Sequence, residues 1–328
     1  MSDLPNRALL VDAADRAATY LEGLETRNVG ALPGAVEALI AGLQEPLPDG
    51  ETAPEAVLDL IDRLGSPATV ASAGGRYFGF VTGGTLPAAL AAHVLAGAWD
   101  QNAFSWISSP AVAAFEEVSL QWVKQALGIS LQSEGAIVTG ATMANFTCLA
   151  AARNRVLNSV GWDVDSKGLF GAPDVTVFVG DEAHATLFKV LSMLGMGRDR
   201  VHRLPTDDQG RIIAADLPAI DGPAILCLQA GNVNSGSFDP AEPLIEWAHG
   251  HGAWVHVDGA FGLWALACQP YAHLAAGYQT ADSWATDAHK WLNVPYDSGI
   301  ALVADGDALR QAMSISGAYI APSSRRDA

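Results

Sequence analysis

Beyond Gly128 the chain alternates short apolar runs with segments of helical length, and few folds accommodate that rhythm. The runs are Ala136–Thr139, Val175–Val179, Ala224–Leu228, Trp254–Val257 and Gly299–Val303. Between them lie helix-length stretches such as Thr142–Leu157, Ala185–Leu194 and Pro243–His249. Near-continuous apolar strands separated by helices predict an α/β fold, a largely parallel sheet covered on both faces. In such sheets ligands bind beyond the carboxyl ends of the strands, so polar residues there are the first candidates for chemistry.

Before this region the pattern is helical. Leu10, Ala13, Ala17, Tyr20, Leu21 and Leu24 share one face, and Pro33, Pro46, Pro48 and Pro54 divide residues 1–73 into short helices. This predicts a helical N-terminal arm followed by a large domain over residues 74–328. Ser109-Pro110 reads as an N-cap and first-turn pair opening a helix that stops at Gly128. A net charge of −18 disfavours nucleic acid and anionic membrane surfaces as partners. Leu86–Trp99, the most apolar stretch, is too short to span a bilayer. Cys148, Cys227 and Cys268 form no CxxC pair, which suggests buried free thiols, no metal site and a cytoplasmic location.

The chain has four lysines. Lys124, Lys167 and Lys189 are expected as solvated amines, whereas Lys290 precedes Trp291, Leu292 and Val294, in a partly apolar setting suited to a nucleophilic or imine-forming amine. Asp258 ends an apolar run, where a carboxylate can cap the next helix, bind a metal or serve a reaction. Thr139-Gly140-Ala141-Thr142 joins a strand to a helix; this is either a tight turn with Thr142 as N-cap or an anion site made of backbone N–H groups. A dinucleotide fingerprint is ruled out by Met143 and Ala144, which stand where its later glycines belong. His184 follows the run Val175–Val179 and is either a helix-start hydrogen-bonding residue or a catalytic one.

Taken together, Thr139–Asn145, Asp181–His184, His256-Val257-Asp258-Gly259-Ala260 and Asp287-Ala288-His289-Lys290-Trp291 occur in an order that resembles the group II pyridoxal-phosphate (PLP) amino-acid decarboxylases, relatives of the aromatic-amino-acid and glutamate decarboxylases. The resemblance begins near Gly74 and includes Tyr77–Thr82 and Phe104-Ser105-Trp106. It implies the aspartate-aminotransferase-like fold (fold type I), with a mixed, mostly parallel seven-stranded sheet flanked by helices. Lys290 is then the Schiff-base lysine, Asp258 the partner of the pyridine nitrogen, His184 the residue stacked on the cofactor ring and Ala260 the contact on its other face. Gly140, Ala141, Thr142 and Asp287 would hold the phosphate region, with His289 beside it. Phe80, Thr82 and Phe104 would line the substrate pocket, Phe104 arriving from the neighbouring subunit of a homodimer. Val233 stands where many relatives carry a threonine that contacts the cofactor.

The implied reaction is α-decarboxylation of an amino acid. Transamination or aldehyde formation would use the same Lys290, Asp258 and His184, and a PLP-binding fragment or structural protein without turnover is the third reading. The polar run Ser323–Ala328 lies near where relatives begin a mobile loop and a small C-terminal domain, so a longer gene product and weak activity of these residues alone are expected.

Overall fold

A computed structural model describes residues 7–314 apart from Glu45 and Leu47, so Ser323–Ala328 lies outside the described residues. The chain divides into two compact units, Met1–Gly84 and Thr85–Ala328. The first is helical: α1 (Arg7–Glu22), α2 (Ala35–Leu43) and α3 (Pro54–Leu60), with Pro54 opening α3 in the first-turn position where its missing N–H costs nothing. Arg16 of α1 reaches Asp12 and Asp62, each at 3.1 Å. The apolar stripe read on α1 is not buried: none of its residues is, and Leu10 is 53% exposed.

The second unit begins with α4 (Pro87–Trp99) and α5 (Pro110–Leu127). Gly128 ends α5 in the left-handed region, φ 63°, which glycine enters without strain. Ser109 occupies the N-cap position as read from sequence, but its hydroxyl makes no capping bond and is buried without a partner among the described residues. Lys124, expected in solvent, is buried on α5, where its Nζ donates to the carbonyls of Leu131 (3.0 Å) and Ser133 (2.7 Å). Cys148 and Cys227 are buried thiols, whereas Cys268 is exposed at the end of the short helical turn Gly262–Ala267.

A seven-stranded sheet follows: β1 (Glu134–Val138), β2 (Thr176–Gly180), β3 (His202–Leu204), β4 (Ala224–Gln229), β5 (Trp254–Asp258), β6 (Ser283–Asp287) and β7 (Gly299–Val303). Its order is β1-β7-β6-β5-β4-β2-β3, with β7 antiparallel to both neighbours and every other pairing parallel. The helices α6 (Ala141–Asn158), α7 (Ala185–Met193), α8 (Ala241–Gly250) and α9 (Gly306–Met313) complete the layers.

Two cores lie on opposite faces of the sheet. One gathers Leu120 and Leu127 of α5, Leu244 and Ile245 of α8, and Val255 and Val257 of β5; the other gathers Leu149 and Leu157 of α6 with Leu191 of α7 and Trp254 of β5. In α6, Ala150-Ala151-Ala152 lets the helix lie close on the sheet, and Leu149 and Leu157 are fully buried; truncating such a leucine costs about 2–5 kcal/mol. Two strands escaped the sequence pattern. β3 is only three residues long, and β6 carries Ser283, Thr286 and Asp287 buried, so it shows no apolar run. The carboxyl ends of β1, β2, β4, β5 and β6 lie on one edge, which is also where β7 begins.

Candidate active site

Four of the candidate segments end on that edge. Asp287 is the last residue of β6, and its Oδ1 accepts the Ala141 N–H at the start of α6 (2.5 Å). Its Oδ2 faces Lys290 Nζ at 3.2 Å and His289 Nε2 at 3.5 Å. One buried carboxylate thereby ties the lysine, the histidine and the β1–α6 turn together. The setting of Lys290 is partly apolar, as expected: the amine is half-buried, with Asp287 as an ion-pair partner and the Phe261 ring 5.9 Å away, measured to its centroid. His289 donates from Nδ1 to the Ser298 carbonyl (3.2 Å) and stacks on Tyr296, ring centroids 4.1 Å apart.

Gly140 and Ala141 form the turn into α6, and Thr142 is half-buried in the helix's first turn. The N-cap position falls on Gly140 rather than Thr142. A Cβ at residue 299 would overlap the Gly140 backbone, so β7 presses directly on this turn, and a Cβ at 140 would stand 3.8 Å from Asp287 Oδ1.

Asp258 ends β5 and is buried; its Oδ1 accepts the Ala260 N–H at 3.3 Å, and the Ala260 carbonyl accepts the Asp287 N–H at 3.1 Å. Burial pushes the Asp258 carboxyl above its ordinary range, opposed by His184, the Ala260 N–H, Lys290 and the Asn145 amide. His184 and Asp258 line one cleft together with Gly180, Cys227 and Gln229. His184 is also the N-cap of α7: Nδ1 accepts the Thr186 N–H at 3.4 Å and lies 2.7 Å from Thr186 Oγ1. The helix-start reading and the cleft position are therefore both realised.

Lys290, Asp287, His289, Asp258, Ala260, His184 and the 140–142 turn thus share one edge of the sheet. Phe80 and Thr82 belong to the first unit, where Phe80 has φ 57° and Thr82 Oγ1 donates to the Gly79 carbonyl at 3.4 Å. Among the described residues no hydrogen bond, ion pair or ring contact joins Phe104 to the Asp287 group. Val233 is exposed and offers no polar atom from its side chain. Sequence reasoning gave no role to Asn145, His256, Phe261 or Tyr296. The available signals were spacing: His256 shares the face of Asp258 two residues on, and Asn145 lies one helical turn after Ala141.

Residues 41–327 match the pyridoxal-dependent decarboxylase conserved domain, and the chain belongs to that family. The aromatic-L-amino-acid decarboxylase of Bacillus atrophaeus is 26% identical over 322 residues, covering 96% of this chain and 65% of the relative. The phenylacetaldehyde synthase of Arabidopsis thaliana is 28% identical over 298 residues, covering 86% of this chain and 59% of the relative. The structure of Oryza sativa TDC with PLP and tryptamine superposes with a TM-score of 0.85 at 24% identity over 98% of this chain and 69% of that one, a likeness of fold. The chain spans no more than 65% of the length of these two curated relatives.

The residues on the edge fit the family's PLP cofactor. Their donor set holds an amine able to form an imine, a buried carboxylate whose charge is opposed by burial and would be relieved by a cationic ring nitrogen, and a helix start with no side chain at Gly140 to obstruct a phosphate.

Proposed function

We propose that the chain carries the cofactor centre of an enzyme that removes the α-carboxylate of an amino acid as CO2. The convergence of Lys290, Asp258, His184 and the 140–142 turn on one sheet edge, in a chain of this family, is the observation that supports it most. When bound, PLP supplies an electron sink for the pair left at Cα as the carboxylate departs.

Lys290 Nζ is the group that would hold the cofactor and exchange it for the substrate amine, and Asp287 Oδ2 orients it. Asp258 would hold a proton at the cofactor's ring nitrogen, with Ala260 fixing its carboxylate. His184, anchored through Nδ1 to Thr186, would present its ring face to the cofactor from one side and Ala260 would meet it from the other. Gly140, Ala141 and Thr142 would hold the phosphate, with Asp287 and His289 setting the turn's position.

Phe80, Thr82 and Phe104 are the proposed substrate-pocket residues, with Phe104 supplied by a second copy of the chain. Support for a homodimer comes from α4 and α5. All of α4 lies outside the core, and Val94, Leu95, Trp99, Phe115, Val118 and Trp122 are exposed, Trp99 and Phe115 being stacked at 6.4 Å. No helix among the described residues is long and apolar enough to cross a membrane.

A panel of amino acids assayed for CO2 and for the organic product tests the reading. CO2 with an amine is expected. The resemblance to an aldehyde synthase favours one second reading, in which the product is an aldehyde. PLP binding without any turnover would reject both.

A further inference from the structure

The polar groups beneath Asp258 form a chain that one set of hydrogen directions satisfies. Trp254, His256 and Asp258 alternate along β5 and share one face, and Ser283 of β6 is registered opposite His256. Trp254 Nε1 can only donate, and it lies 2.9 Å from Ser283 Oγ. Ser283 Oγ can accept two hydrogens, but among the described residues its own hydrogen has no acceptor other than His256 Nδ1, also at 2.9 Å, and it is given there. Burial pushes the His256 pKa down to about 3, so the ring is neutral and its single hydrogen sits on Nε2. Nε2 therefore donates to Asn145 Oδ1 at 2.8 Å.

This assignment fixes the orientation of the Asn145 amide, which could otherwise be turned over. Its oxygen is held by His256, which leaves Nδ2 as the free end. That nitrogen is buried and makes no hydrogen bond among the described residues, yet the Asn145 amide is among the groups that stabilise the charged form of Asp258. A buried donor beside a buried carboxylate has one evident use.

We propose that Asn145 is a positioning residue for Asp258, locked by Trp254, Ser283 and His256 so that its N–H rather than its carbonyl faces the carboxylate that receives the cofactor's ring nitrogen. The inference rests on the reading of Asp258 as the partner of that nitrogen. An amide turned the other way would set oxygen against oxygen and drive the carboxylate away from its charged form. His256 and Ser283 act through Asn145 and touch neither cofactor nor substrate.

The test measures the affinity of the cofactor-free chain for PLP across the neutral pH range, together with nitrogen NMR of the His256 ring. In the unmodified chain the ring hydrogen is expected on Nε2; a hydrogen on Nδ1 overturns the proposal whether or not any variant folds. His256→Leu and Asn145→Leu should each weaken PLP binding by about tenfold or more and alter its pH profile. His256→Gln, which keeps a donor for Asn145, should recover most of the loss. A packing role alone would show in the melting temperature and leave the PLP pH profile unmoved, and that result overturns the proposal. Asp258→Asn separates the two claims. If it impairs PLP binding while Asn145→Leu does not, the relay fails and the Asp258 reading stands; if Asp258→Asn binds PLP normally, the underlying reading fails and the relay with it.

Discussion

At the end of β6 the Asp287 carboxylate meets the Lys290 amine, the His289 imidazole and a backbone N–H, an arrangement that holds the Lys290 amine at the end of the strand. Lys290→Ala is expected to abolish covalent PLP attachment and turnover, since Lys167 and Lys189 are exposed and Lys124 is committed to two carbonyls. Borohydride reduction followed by peptide mapping checks this: label on any lysine other than Lys290 rejects the assignment. A second carboxylate behaves differently. Asp239 is buried and accepts N–H groups from Ile212 (2.8 Å) and Gln229 (2.7 Å); burial pushes its pKa up to about 6 and those donors oppose the rise. An unfolded aspartate ionises near pH ~3.9. Between these values the unfolded chain has lost its proton and the folded chain keeps it, so this group's contribution to stability falls as pH rises through the window and is level above it. Asp239→Asn should remove that slope, a change of about 2–3 kcal/mol in the difference between the two proteins' unfolding free energies across the window. Urea unfolding at several pH values measures it, and parallel curves would reject it. Individual site residues were legible where a polar residue interrupted or followed an apolar run, as Asp258 does. Lys124 was not, because its partners are carbonyls of a following loop that no spacing rule reveals.

The contact between β7 and the β1–α6 turn belongs to whole elements. Gly299 starts β7 with no room for a side chain against Gly140, so the strand's position and the turn's shape are set jointly. Gly299→Ala should lower stability by about 1–3 kcal/mol through overpacking and weaken PLP binding beyond that, because the displaced turn is the proposed phosphate holder. A thermal melt and a PLP titration on the same variant separate the two effects. Unchanged PLP affinity with lowered stability would mean that strand and turn relax independently. The boundaries of α5 were readable from its start and stop signals, Pro110 and Gly128, whereas α6 starts at Ala141 with Gly140 in the N-cap position that the sequence offered to Thr142. The polarity of β6 concealed it, although those same polar residues place Asp287 and support His256. A strand that carries chemistry on one face loses the apolar pattern by which strands are recognised.

For the molecule as a whole, the exposed apolar surface of α4 and α5 is the feature that the single chain leaves unexplained. Sequence alternation gave the layered α/β plan, but the apolar residues of these helices read equally as core, since periodicity records that a face is buried and not by what. A second copy covering them predicts a particle of twice 34.2 kDa, reduced to the single mass by Val94→Asp combined with Trp122→Asp. Sedimentation over a range of concentrations checks this. The stronger test asks whether Phe104 crosses between copies. A Lys290→Ala chain and a Phe104→Ala chain, each inactive or nearly so alone, can be unfolded and refolded together. If Phe104 serves the neighbouring centre, half of the dimers formed at random are mixed. Each mixed dimer pairs one intact Lys290 with an intact Phe104 from its partner, which restores about a quarter of wild-type turnover. If Phe104 serves its own chain, every centre in the mixture lacks one of the two groups and no activity returns. Restoration therefore requires both the dimer and the crossing. Its absence from a mixture shown by sedimentation to contain dimers would place Phe104 outside the neighbour's pocket.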